Sequence, residues 1–148
     1  MLRIMPCVSA VALGAMVVSA LAKAGAADGE LGGPVTARVL RVVDGDTIAV
    51  EVRLWLDLHL TTLVRVAEID APELDGSCER ERSLAEAART FLDMRLAGSM
   101  VRLSDIQRDK YNGRVVAQVM MEDGAMLASA LMTEGLASPY GSGRSWCP

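Results

Sequence analysis

Every second position from residue 48 to residue 58 is apolar: Ile48, Val50, Val52, Leu54, Leu56 and Leu58, with Ala49, Glu51, Arg53, Trp55 and Asp57 between them. Period-two alternation sends one set of side chains to each face of an extended chain, so one long, half-buried strand is predicted here. Val and Leu alternate with Arg over residues 36–43, a first strand, and Asp44-Gly45-Asp46 supplies turn chemistry between the two. Residues 61–69 predict a third strand, ended by Asp70-Ala71-Pro72.

The period then changes. Leu84, Ala87, Ala88, Phe91 and Leu92 recur at three- and four-residue spacing with Glu81, Arg82, Glu86 and Arg89 between them, a helix whose end fits Gly98 as cap. Residues 100–106 and 114–121 predict two more strands, the last closed by Asp123-Gly124. Residues 125–134 predict a second, shorter helix stopped by Gly135. The expected class is α+β, mostly β: a five-stranded OB-fold barrel with a helix between strands 3 and 4 and a short helix after strand 5. The 148 residues suit one such domain and not two.

Fifteen basic and nineteen acidic residues give a net charge of −4. That balance excludes coating of nucleic acid by bulk positive charge; a few placed cations would have to do the work. The start of the chain does not read as fold. Arg3 is followed by an uncharged apolar run, residues 4–22, and by the small-residue patterns Ala20-Leu21-Ala22 and Ala24-Gly25-Ala26. These are the parts of a secretory signal peptide, expected at residues 1–26; an uncleaved membrane anchor is the alternative. A linker, 27–34, and one domain, 35–148, follow. The expected destination is export, to the periplasm or the medium, with no stable membrane insertion after processing. Cys7 lies in the leader, which leaves Cys78 and Cys147. In an oxidising compartment an even pair favours a disulfide over two unrelated thiols.

Three islands collect acids and arginines at predicted strand ends. The first is Asp44-Gly45-Asp46-Thr47, which alone reads equally as a common hairpin turn. The second is Arg65, in an otherwise apolar strand, followed by Asp70-Ala71-Pro72-Glu73. A guanidinium there needs a partner or a ligand. The third is Asp109-Lys110-Tyr111-Asn112-Gly113-Arg114, which alone reads as a solvated loop. Together they offer two carboxylates, Asp46 and Asp70, for a hard cation. They also offer two guanidiniums, Arg65 and Arg114, for a phosphate, and one acid, Glu73, to orient and deprotonate water. That kit suffices for phosphodiester hydrolysis.

With V-D-G-D-T at 43–47, R-x4-D-x-P-E at 65–73 and D-K-Y-x-G-R at 109–114, the chain resembles the staphylococcal nuclease-like (thermonuclease) domain family from about Ala37 to Tyr140. The resemblance implies a Ca2+-dependent endonuclease acting on DNA or RNA with little sequence specificity, breaking the bond to the 5′ oxygen. It implies Asp46, Asp70 and the Ala71 main-chain carbonyl as calcium ligands and Arg65, Glu73 and Arg114 as catalytic residues. Lys110, Tyr111 and Tyr140 fall on the substrate side, and Asp44 and Thr47 in support of the metal loop. Asn112 is one residue more than the founding enzyme carries in the third motif. A monomer without a protein partner is expected. The rival class is a non-catalytic OB-fold module of the cell envelope that binds nucleic acid or protein. One Phe, two Tyr and two Trp make the chain poor in base-stacking platforms.

Overall fold

The computed structural model describes residues 29–148. The expected signal peptide at 1–26, Cys7 and the first two linker residues lie outside the described residues.

The elements are β1 (Glu30–Leu31), β2 (Val35–Val42), β3 (Thr47–Arg53), β4 (His59–Val66), β5 (Ile69–Asp70), α1 (Glu79–Leu96), β6 (Met100–Arg108), β7 (Arg114–Met120), α2 (Leu127–Thr133) and β8 (Ser138–Pro139). β2, β3, β4, β7 and β6 pair in that order, and β6 pairs back to β2, which closes a five-stranded barrel. All of its pairings are antiparallel except β4 with β7. β1 extends the edge at β6, and β5 pairs with β8 as a separate two-stranded ribbon. This is the α+β OB-fold architecture expected, with α1 between the third and fourth barrel strands.

The barrel interior is filled from every strand, by Val39, Ile48, Val50, Val64, Val101, Leu103 and Val119 among others, and is closed by Leu92, Leu96, Leu127 and Leu131 from the two helices. Each such fully buried aliphatic side chain contributes about 1.5–3 kcal/mol over its exposed state. Among the described residues no buried side-chain polar atom lacks a partner.

Three expectations need correction. The long strand expected over residues 48–58 is a shorter strand and a turn: β3 stops at Arg53, the chain turns with Leu54 N donating to Leu58 O at 2.9 Å, and β4 begins at His59. The alternation continues through the turn, but β7 begins only opposite Leu63, so nothing among the described residues covers the leucines beyond it. The third strand ends at Val66 rather than 69, because Glu68 takes a left-handed φ of 68° and redirects the chain into β5. The buried stripe of α1 is Ala85, Ala88, Leu92 and Leu96, one step round from the stripe expected; Ala87 is exposed and Leu84 and Phe91 are half-buried.

The small Ala face of α1 has a reason. Gly45, in the β2–β3 turn, presses against it: a Cβ at Gly45 would stand 3.0 Å from Ala71 Cβ and 3.1 Å from Ala88 Cβ. The Asp44-Gly45-Asp46 turn is therefore not a free hairpin tip but is wedged against the helix and the 70–72 bend. At the start of α1, the N-cap Cys78 is disulfide-bonded to Cys147, with Cα atoms 5.9 Å apart, which ties the C-terminal tail to the helix.

Candidate active site

Strand registry brings the three islands together. Thr47 lies opposite Arg65, so Asp46, one residue before it, meets the end of β4; Val66 N also donates to Asp46 O at 2.8 Å. Arg65 pairs with Val116 of β7, two residues on from Arg114, so both arginines project from the same face. Asp70 is held by the β5–β8 ribbon opposite Ser138, and Tyr140 is fixed beyond it by its N–H to Glu68 O at 2.8 Å.

A cleft of about 820 Å³ opens at this junction. Asp44, Asp46, Arg65, Asp70, Glu73, Lys110, Tyr111, Arg114 and Tyr140 all line it. Two of the residues implicated by sequence do not. Thr47 is buried behind the cleft, where its hydroxyl donates to Asp46 Oδ1 at 2.8 Å, and Ala71 is buried against the β2–β3 turn.

Inside the cleft every guanidinium has an acid. Arg65 Nε and Nη2 reach Asp46 Oδ2 at 3.1 and 3.0 Å, and Nη2 also reaches Asp70 Oδ1 at 3.1 Å. Tyr140 stacks on Arg65, with 5.4 Å from the guanidinium carbon to the ring centre. Arg114 Nε donates to Asp109 Oδ2, and Tyr111 lies 4.8 Å from the Arg114 guanidinium carbon and 5.0 Å from Lys110 Nζ. Despite the added Asn112, Arg114 remains in the cleft.

Burial raises the Asp46 pKa above the ordinary carboxylate value; the Arg65 charge and the Thr47 hydrogen bond oppose this and Asp44 adds to it. Burial also works against the Arg65 charge, but Asp46 and then Asp70 more than offset it, and its pKa is raised. Glu73 is raised by partial burial and then by the fields of Asp46, Asp44, Asp75 and Asp70. For Asp109, desolvation opposes ionisation, yet the Arg114 hydrogen bond, the Lys110 N–H and the charges of Arg114 and Arg65 hold its pKa below the ordinary value.

This donor set fits a hard divalent cation. Asp46 and Asp70 each put an oxygen on one Arg65 nitrogen, so a single positive centre serves both. Asp44, Asp46, Asp70 and Glu73 outnumber the one guanidinium among them, and oxygen-only donors suit calcium or magnesium rather than softer metals. Among the described residues the only three closely placed ligand-type side chains are Cys78, Glu81 and Cys147, whose sulfurs are already bonded to each other. A cation beside Asp46 and Asp70 would thus complete its shell with main-chain carbonyl and water.

Asp109 was not singled out by the sequence as a partner of Arg114, although its place five residues earlier, across a tight turn, was the available signal. Glu68 also lines the cleft unforeseen, because its position depends on the left-handed turn after β4.

A family model described as "Staphylococcal nuclease homologue" matches residues 63–145, more than half the chain. The chain belongs to the staphylococcal nuclease family. The family match begins after the first motif, so it is strand pairing, rather than the match itself, that adds Asp46 to the nuclease-family site. An "Uncharacterized endonuclease" of Escherichia coli is 32% identical over 103 residues, covering 70% of this chain and 60% of the relative. The similarly described protein of Escherichia coli O157:H7 matches to the same extent. This nuclease-family chain thus spans about 60% of the length of the curated relatives it matches.

Proposed function

We propose that this protein is an exported, calcium-dependent endonuclease of the thermonuclease type, hydrolysing phosphodiester bonds of DNA or RNA with little sequence specificity. The observation that carries the reading is the convergence of Asp46, Asp70, Arg65, Glu73 and Arg114, from three separate sequence islands, on one cleft. Family membership and relatives described as endonucleases support it. Export rests on the leader-like residues 1–26 and is supported by the Cys78–Cys147 bridge.

In this reading Asp46, Asp70 and the Ala71 carbonyl would hold the cation, with Asp44 and Thr47 fixing the loop that carries Asp46. A bound calcium ion would supply charge to a phosphoryl oxygen as negative charge builds there. Arg65 and Arg114 clamp the phosphate through planar N–H forks, and to do so each turns part of its donor set from its acid toward the substrate. Glu73, made more basic by its burial and its acidic neighbours, accepts a proton from the attacking water. Arg114 stabilises the leaving 5′ oxygen, and Lys110, Tyr111 and Tyr140 seat the adjoining phosphate and sugar. These are contacts to backbone rather than to base edges, which is why little sequence preference is expected.

The test is a gel assay of the purified protein on single-stranded DNA and on RNA, with calcium and with chelator. Calcium-dependent shortening of either polymer is expected. Intact substrate in calcium, or equal cleavage in chelator, would overturn the proposal.

A further inference from the structure

The β3–β4 hairpin carries a feature that neither the barrel nor the cleft uses. Its tip presents Leu54, Trp55, Leu56, Leu58 and Leu60 at 54, 74, 75, 58 and 48% exposure. The pairs Val52–Leu60 and Arg53–His59 continue the hairpin past the start of β7, which first pairs at Leu63. The result is a convex, apolar projection. Contiguous exposed hydrophobes of this kind mark an interaction site rather than ordinary surface.

We propose that this hairpin tip docks the protein on a lipid bilayer surface, with Trp55 and the leucines entering the interface. The inference does not rest on the nuclease reading. Three observations favour lipid. The first is where the described chain begins. Arg108 N donates to Gly29 O, one residue before the 109–113 loop, and the other side of that loop, Gly113 O, accepts from Leu63 N at the root of the hairpin. Residue 29 and the hairpin therefore flank the same loop at one end of the barrel. Beyond residue 29 lie 28 residues that include the uncharged apolar run 4–22, which addresses the chain to a membrane before the leader is removed.

The second observation is charge. Over residues 53–60 the charges of Arg53 and Asp57 offset one another, so the tip is nearly balanced on an acidic protein. A zwitterionic lipid surface is matched, and anionic lipid is not required. The third is size and chemistry. A stable dimer needs about 800 Å² and 20–30 residues from each partner, more than positions 54–60 offer. Single-stranded nucleic acid needs aromatic platforms, and four of the five apolar side chains are leucines. Leucine with tryptophan is the composition that partitions into an interface. No helix among the described residues is long and apolar enough to cross a membrane. Contact would be shallow, through the tip.

The experiment uses the protein as exported by the cell and phosphatidylcholine vesicles. The chain has two tryptophans, and Trp146 is only 8% exposed, so a vesicle-induced change in emission reports Trp55; the Trp55→Phe chain identifies it. A blue shift with vesicles and co-flotation are expected. The Leu54→Ser/Leu56→Ser chain should partition at least about tenfold more weakly, from the transfer cost of two leucines. The emission measurement on the unaltered chain needs no variant to fold. Because residues 1–28 contain no tryptophan, it is also blind to a retained leader. Unchanged Trp55 emission with vesicles overturns the proposal. So does a shift produced without vesicles by raising protein concentration, or only by an oligonucleotide.

Discussion

Two nitrogens of Arg65 converge on one oxygen of Asp46, with Nε at 3.1 Å and Nη2 at 3.0 Å from Oδ2, while the other oxygen, Oδ1, accepts from Thr47. These contacts oppose, without outweighing, the burial that raises the Asp46 pKa, and Arg65 supplies the positive charge that a bound cation would share. Nη2 reaches on to Asp70, so the same guanidinium also spans the gap between the two proposed ligands.

The first prediction follows from that sharing. Asp46 has a folded-state pKa above its unfolded value, so the folded state binds the extra proton and stability falls as pH rises between the two values. Above the folded value that cost is fully present, and a cation offsets it; once Asp46 is protonated there is little left to offset. Calcium at a hundredfold over its dissociation constant should stabilise the protein by about 2.7 kcal/mol. Thermal unfolding should show the calcium-induced rise in Tm at pH 7 and a smaller one in acid. It should disappear in Asp46→Asn. An equal rise in that variant would place the ion elsewhere.

Much of this site was legible because its parts are local motifs placed by strand registry. V-D-G-D-T, R-x4-D-x-P-E and D-K-Y-x-G-R each end or begin a barrel strand, so once the strand order is fixed their side chains meet. The misreadings have a common cause. Alternation shows that a residue is apolar, not that anything will cover it. Leu54, Leu56 and Leu58 keep the period of β3 across a turn because the hairpin outruns its neighbours. Likewise the Leu84–Phe91 stripe lost to Ala85 and Ala88, because a glycine turn elsewhere in the sequence demanded a thin helix face. The Asp109–Arg114 pair was hidden by the same blindness to tertiary position.

Glu73 should set the acid limb of the rate. Its carboxylate form is the base, and its pKa is raised by burial and by four neighbouring acids, so activity should rise with pH through a value above that of ordinary glutamate. Calcium beside Asp46 and Asp70 opposes those acids and should move the limb toward lower pH as its concentration increases. Glu73→Gln should lower kcat by about 10²–10⁴-fold with little change in substrate binding. A pH–rate profile at two calcium concentrations checks the limb. A variant that retains wild-type turnover would remove Glu73 from the base role.

The Cys78–Cys147 bridge closes a loop of 69 residues in sequence separation, for which chain entropy gives about 4 kcal/mol of stabilisation. It anchors the tail, pinning Cys147 to the N-cap of α1. Cys78→Ser/Cys147→Ser should unfold at lower temperature or urea concentration by that order, and retain cleavage at temperatures where it stays folded. Unchanged unfolding in the double variant would mean that the tail is held by packing alone, Trp146 foremost.

Asp109 is expected to act as a positioning residue for Arg114. Its carboxylate accepts from Arg114 Nε and from the Lys110 N–H, which fixes both the guanidinium plane and the turn that carries Tyr111. Asp109→Asn keeps an acceptor for the turn but loses the ionic hold, so Arg114 should sample other directions and kcat should fall while KM changes less. Arg114→Lys keeps charge but cannot present a planar fork; if the fork meets charge that grows in the transition state, the loss should be about 3 kcal/mol, or about a hundredfold in rate. Stability supplies an independent readout. Asp109 has a folded-state pKa below its unfolded value, so its contribution is present above the unfolded value and is lost as pH falls through the folded one. The acid side of a stability–pH curve should therefore be steeper in the wild type than in Asp109→Asn. Equal acid slopes together with an undiminished kcat would show that Arg114 needs no help from Asp109, and that the turn itself, through Gly113 and Leu63, is what aims it.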